Sequence, residues 1–154
     1  MRTSALIAAA LALGSFGVTS SVPAQGLDLE ALRWEHRPLL LFAPSPDAPL
    51  AQALREALKV AAAEVADRDM VVIEVYGEAP AKLDGAELPP GTGKALRRQF
   101  GIAEGASVVV LLGKDGGEKL RTESADLSAV FALIDTMPMR RREMGGGTGP
   151  DAPR

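Results

Sequence analysis

Few residues in this chain could do chemistry. There is no cysteine and a single histidine, His36. Thiol nucleophiles, disulfides and cysteine metal sites are therefore excluded, and with them a histidine-rich zinc or copper site. Hydroxyls, carboxylates and amines remain. Four stand where they could form a binding site: Ser45, Asp47, Glu74 and Lys94. Ser45 and Asp47 lie in APSPDAP, residues 43–49, directly after an apolar run. A serine at a helix N-terminus would face backbone N–H groups that favour an anion. As a nucleophile it would need a base within reach, and His36 stands at the opposite end of the apolar run. The competing reading for both residues is local. Ser45 followed by Pro46 reads as helix cap plus first turn, and Asp47 favours the helix dipole.

Glu74 interrupts MVVIEVY, residues 70–76. A carboxylate in a buried strand must be paired or face outward; with Tyr76 it could line a site. Lys94, Arg97 and Arg98 could bind an anion, or form an ordinary solvated helix face. PPGTGKA fails as a phosphate loop: Leu88 occupies the earlier glycine position, and Ala95 replaces the Ser or Thr that would hold magnesium. Trp34 and His36, two residues apart, read as a stacking patch or as an aromatic at the core's edge. Arg140, Arg141 and Arg142 could dock an acidic partner or anionic lipid, against a solvated chain end. No catalytic residue, metal site or cofactor is assigned.

The chain ends suggest an address. Met1-Arg2 carries positive charge, Ala5 to Leu13 is apolar, and Val22-Pro23-Ala24 suits a cleavage site. This is the layout of a secretory signal peptide over residues 1–24. The apolar part is shorter than the ~20 residues that span a bilayer. The expected location is periplasmic or secreted. Residues 25–144 form one domain with its own core, and 145–154 a Gly/Pro tail expected to be disordered. The formal net charge is −3, one unit more negative after loss of Arg2. That provides no field for nucleic acid or anionic membrane. No segment after the signal could span a membrane. Oligomeric state does not follow from the sequence.

The patterning places these groups on alternating elements. Leu27 to Trp34 is a helical turn or an edge strand. Pro38 to Phe42 reads as a strand covered on both faces. A helix to about Ala66 carries its core stripe on Leu50, Leu54, Leu58, Ala61, Ala62 and Val65. Met70 to Tyr76 is a second buried strand, and Gly77 to Gly93 reads as a surface loop. Thr92 is expected to cap a helix that ends at Gly101. Ser107 to Leu112, a turn at Gly113 to Gly117, and Glu118 to Thr122 form a hairpin. Ser124 or Asp126 starts a last helix, which Pro138 stops. Helical crossovers imply parallel pairing of the first strands. The expected fold is α/β and thioredoxin-like, with a mixed, mostly parallel sheet and helices on both faces.

The stretch FGIAEGASVVVLLGKDGGEKL, residues 100–120, resembles the thioredoxin segment in which a helix ends in Phe-Gly-Val before a Lys-Asn-Gly-type hairpin. LLLFAPSPDAPL, RDMVVIEV, LRRQFGI, VVLLGKDGGEKLR and LIDTMPMRRREM together resemble a bacterial family of exported thioredoxin-like domains of unknown function. Its relatives include a domain of vertebrate extracellular matrix and sushi-repeat proteins. The resemblance covers roughly residues 27–144 and implies a fold and a compartment, without a substrate. Thioredoxins carry cysteine between the first core strand and the next helix, and a cis-proline before the third core strand. Ala43 to Pro49 and Ala106-Ser107 stand there instead. The missing redox residues, together with the site-bearing end that this fold normally offers, lead to the expectation of a non-redox binding module for an unknown protein or cell-envelope component. An enzyme, or a small-ligand or anion binder with a polar site at the strand–helix junction, is the alternative.

Overall fold

The computed structural model describes residues 26–146. The expected signal peptide and nearly all of the expected tail lie outside them. The framework is the strand β1, Arg37–Ala43, whose seven residues are all buried. Its apolar run is two-sided because each face meets helices: Leu39, Leu41 and Ala43 face one way, Leu40 and Phe42 the other. Beside it runs β2, Met70–Tyr76, in parallel register with Leu41 opposite Glu74 and Ala43 opposite Tyr76. On its other side β5, Val108–Leu112, is antiparallel, and β6, Glu118–Thr122, pairs beyond it. Pro38 is tolerated in a central strand because the β5 ladder begins only at Leu39.

The region between β2 and β5 is not a plain loop. Lys82–Leu83 and Ala86–Glu87 form a short hairpin, β3 and β4, which extends the sheet to the order β4-β3-β2-β1-β5-β6. Its two-residue turn, Asp84-Gly85, has positive φ at both positions, 47° and 85°. That is the twist a tight hairpin requires, and Asp-Gly supplies it. Asp84 also accepts from the Val72 N–H through its side chain at 2.7 Å.

The sheet is mixed but mostly antiparallel; β1 and β2 are its one parallel pair among the described residues. The expectation of a mostly parallel sheet is corrected here. A helix between two strands does not by itself return the chain to the starting end. The helix α3, Thr92–Phe100, has Gly93 against Val75 and Arg97 against the carbonyls of Ala43 and Gly77. The chain therefore leaves α3 near the end where β2 finished, and Val108 enters opposite Phe42, running the other way.

The helices cover both faces. On one, α1 (Pro49–Val60) and α4 (Leu127–Thr136) pack Ala51, Leu54, Leu127, Val130 and Ile134 on Leu39, Leu41 and Val109. On the other, Leu96 of α3 and Ile102 join Leu40, Phe42, Ile73 and Val75, with Leu27, Leu29 and Leu32 packed against them. These leucines sit in and before a single 3-10 turn, Leu29–Leu32, which resolves the choice between helical turn and edge strand. The helix expected to run to Ala66 is interrupted at Ala61 (φ −97°, ψ 24°), and α2, Ala62–Asp67, follows. The interruption keeps Ala61 and Val65 against the core while Val60 points into solvent.

Capping follows the sequence only in part. Asp126 caps α4, accepting from the Ser128 and Ala129 N–H groups, and Gly101 ends α3 at φ 64°. Ser45 and Asp47 do not cap α1: its N-cap is Ala48, and Pro49 takes the first helical position. Thr92 is likewise not a cap. Gly91 holds that place, and the Thr92 hydroxyl donates to the Pro89 carbonyl. Pro138 does stop α4, but it also opens a further helix, α5 (Pro138–Met144). Arg140 on α5 is buried and paired with Asp67 and Asp135, so the arginine run is no uniformly solvated end.

Candidate functional site

The C-terminal ends of β1 and β2 form the end of the sheet from which the strand–helix junction departs. Pro44, Pro46, Asp47 and Pro49 are exposed there, and Ser45 is half-buried. Three prolines fix φ along this short loop. Arg55, from the second turn of α1, donates to the Pro46 carbonyl at 3.2 Å. Gly77 closes the loop from the β2 side: at φ 43° its backbone passes so near that a Cβ would lie 2.8 Å from the Pro44 carbonyl oxygen. The junction is thus a rigid, exposed shape. Ser45 has no side-chain base as hydrogen-bond partner, and β1 separates it from His36.

Ser107, directly before β5, lies beside the start of α1. Ser107, Glu123 and Ala125 line a shallow depression of about 470 Å³ together with Pro49, Leu50 and Ala53 at the start of α1.

Glu74 does not reach that depression. It is paired within its own strand: the Tyr76 hydroxyl donates to Glu74 Oε1 at 2.6 Å. Burial, and then the bond to Glu74, push the Tyr76 phenol well above its ordinary range; Arg55 offsets this in part. A neutral tyrosine tied to a carboxylate is a positioned donor–acceptor pair on the α1 face. Glu74 is half-buried, neither unpaired in the core nor simply facing outward.

Lys94 belongs to a separate cleft, of about 360 Å³, beneath the Gly77–Ala81 turn on the α3 face. Lys94, Arg97 and Arg98 line it from the helix, facing Glu78 and Glu104. Of the four candidates, Ser45 and Asp47 share the junction, while Glu74 and Lys94 lie on opposite faces of the sheet and line no common cleft. The phosphate-loop resemblance leaves no trace here beyond the Gly91 turn at the start of α3.

Arg97 is no member of a solvated helix face. It is 7 % exposed, donating from Nη1 to the Gly77 carbonyl at 2.9 Å and from Nη2 to Ala43 at 3.2 Å. It ties the ends of β1 and β2 together. The signal was present: Gly93, Leu96, Arg97 and Phe100 fall at helical spacing on the inward side of α3. Trp34 also departs from expectation. It is 63 % exposed at φ 69° rather than set into the core's edge, and its N–H donates to the Lys114 carbonyl. Among the described residues no cluster of three or more His, Asp or Glu is placed to hold a metal ion, and no helix is long and apolar enough to cross a membrane.

A parallel strand pair flanked by an antiparallel hairpin, with helices on both faces, defines a thioredoxin-like domain. Solved structures agree. Plasmodium yoelii Prx1a modified at the N-terminus superposes with a TM-score of 0.56 at 13 % identity, over 83 % of this chain and 87 % of that one. Plasmodium yoelii thioredoxin peroxidase I gives 0.56 at 14 % identity, over 83 % and 86 %. At such identity the likeness is one of fold. The chain itself belongs to the family described as a domain of unknown function, DUF4174, whose model matches residues 28–143.

Proposed function

We propose that this protein is an exported, non-redox binding module that engages a protein or cell-envelope component through the strand–helix junction. The observation that carries the reading is the junction itself. It occupies the end of the sheet where thioredoxins keep their thiols. Here it is cysteine-free, proline-fixed, held by Arg55 and Gly77, and backed by the Ser107 depression. Such a surface has little conformational freedom to lose on binding. Nothing in it activates Ser45 as a nucleophile. Export rests on the amino-terminal pattern of charge, apolar run and small residues.

The test is a pull-down of the tagged mature domain from its own envelope fraction, with a Ser45→Arg/Asp47→Arg double variant beside it. A partner retained by the wild type and lost by the variant, then reproduced with purified components, supports the reading. Equal retention by both moves the interface off the junction and overturns it, as does absence of any specific partner.

A further inference from the structure

We infer that the cleft between α3 and the Gly77–Ala81 turn is a binding site for a small organic monocarboxylate. It lies on the α3 face, apart from the junction, and goes beyond the docking role proposed above.

Arg97 is the starting observation. A buried guanidinium ordinarily meets a carboxylate, because desolvating a cation is costly unless it is paired. The two other buried arginines follow that rule: Arg37 pairs with Glu143, and Arg140 with Asp67 and Asp135. Arg97 does not. Its partners are two neutral carbonyls; its Nε, like that of Arg37, is buried without a partner, so the lack of a carboxylate is what sets Arg97 apart. Among the described residues no carboxylate pairs with Arg97, Lys94 or Arg98. Three cations therefore border one cleft with no counter-ion in contact.

The start of α3 adds to this. Its N-cap is Gly91, which has no side chain to offer; the Thr92 N–H is met by the Pro89 carbonyl, and Pro90, Gly91, Gly93 and Lys94 all line the cleft. Free N–H groups at a helix N-terminus favour an anion. Gly93 packs closely on β2: a Cβ there would lie 3.0 Å from Val75 Cγ1, and Val75 would have to give way by a few tenths of an ångström.

Charge selects the class of anion. The three cations of the lining stand against Glu78 and Glu104, leaving one positive charge over. One negative charge balances that, whereas a phosphate dianion would be repelled by the two glutamates. Ala79, Ala81 and Ile102 offer apolar wall to the rest of the molecule. The volume is at the lower end for small-molecule sites, roughly 300–1,000 Å³. Lys94 and Arg98 are exposed and free to contact the carboxylate, while Arg97 supplies fixed charge from the wall.

The test uses sodium N-acetylalaninate as probe on the isotope-labelled mature protein, read by the backbone amide resonances of Gly93 and Lys94. Saturable shifts are expected, with a dissociation constant in the millimolar range. N-acetylalaninamide should give none, and inorganic phosphate should bind more weakly than the carboxylate. Lys94→Glu/Arg98→Glu changes only exposed side chains and should weaken binding at least about tenfold. Glu78→Gln/Glu104→Gln should shift the preference towards phosphate. Absence of saturation, equal response to the amide, or tighter binding of phosphate to the wild type would each overturn the inference. Because the probe does not involve Ser45 or Asp47, it can fail while the docking reading stands, and the reverse.

Discussion

The Arg37 guanidinium lies 3.0 Å from a carboxylate oxygen of Glu143, 106 residues along the chain. Arg37 opens β1 and is 1 % exposed; Glu143 lies near the end of α5. The same carboxylate accepts from Lys114 at 2.8 Å, and Lys114 also reaches Asp69 at 2.7 Å. The last helix is thereby fastened to the end of the sheet opposite the junction. Glu143→Ala leaves a buried cation without its carboxylate. That costs several kcal/mol where both partners are buried, and less here because Glu143 is part-exposed. About 2 kcal/mol is expected, read as a lower urea midpoint at unchanged m-value. Glu143→Gln should cost less, since an amide oxygen can still accept.

The same fastening predicts an acid response. Burial pushes the Glu143 carboxyl upward, but hydrogen bonds from Arg37 and Lys114 outweigh it and hold the group below its ordinary range. Asp135 is lowered chiefly by its bond to Arg68, against a smaller upward effect of burial, with Arg140 adding to the lowering. A carboxyl with a depressed folded pKa contributes stability above its unfolded value, ~4, and loses it as pH falls through the folded value. Thermal stability should therefore hold above about pH 5 and fall below pH 4. Glu143→Gln should show a shallower fall. A variant whose profile runs parallel to the wild type would remove Glu143 from the account.

Tyr76 gives a cleaner titration because the chain has one tyrosine. Burial and then Glu74 raise its phenol. The folded protein should show no tyrosinate absorbance through the ordinary range near pH 10. A raised folded pKa means that this contribution is complete below the unfolded value and lost as pH rises through the folded one. Glu74→Gln removes the charge and the strong acceptor, and should bring the absorbance transition down. An unchanged transition would mean that burial alone sets it.

Gly77 tests how the junction is held. Its φ of 43° and the 2.8 Å approach to the Pro44 carbonyl leave no place for a side chain. Gly77→Ala combines left-handed backbone cost with a backbone collision, about 2 kcal/mol together. The loss should be accompanied by amide shifts in residues 44–48, the surface proposed to dock a partner. A stability loss confined to β2 would show that the loop is not braced from this side.

These relationships were unequally legible in the sequence. Strands β1, β2 and β5 announce themselves because each is a short apolar run that only a two-sided core can cover. The Gly113–Gly117 hairpin and the Gly101 cap rest on backbone angles that few residue types allow. The β3–β4 hairpin carried the same Asp-Gly signal at Asp84-Gly85, but its strands are two residues long and show no alternation. Sheet direction is not legible locally, because it depends on which end of the sheet α3 leaves, a tertiary fact. The α5 helix was hidden because Pro138 both ends one helix and begins the next. Ser45 and Asp47 have good cap chemistry, yet the chain enters α1 through Ala48, three residues beyond the first and one beyond the second. The burial of Arg37 and Arg140 depends on carboxylates far away in sequence, which no local pattern shows.

Arg97 ties the end of β1 to the turn that follows β2. Two effects oppose each other in Arg97→Met. The variant removes a buried cation without a paired carboxylate, which favours folding. It also strips a donor from the carbonyls of Ala43 and Gly77; the Ala43 oxygen keeps the Gly77 N–H, while loss at Gly77 costs roughly 1–3 kcal/mol where the oxygen is left unsatisfied. The carbonyls should prevail, because the guanidinium bridges the ends of two core strands, and a net loss of about 2 kcal/mol is expected. Arg97→Lys should recover only part of it, since one ammonium lacks the planar fork that reaches two separated acceptors. Hydrogen exchange at Gly77 gives the local readout. Its N–H bonds to the Ala43 carbonyl at 3.2 Å, the same oxygen that Arg97 contacts. Exchange there should quicken more than at Ile73 in the middle of β2. Uniform quickening along the strand would instead mean that Arg97 supports the fold as a whole and not this end of the sheet.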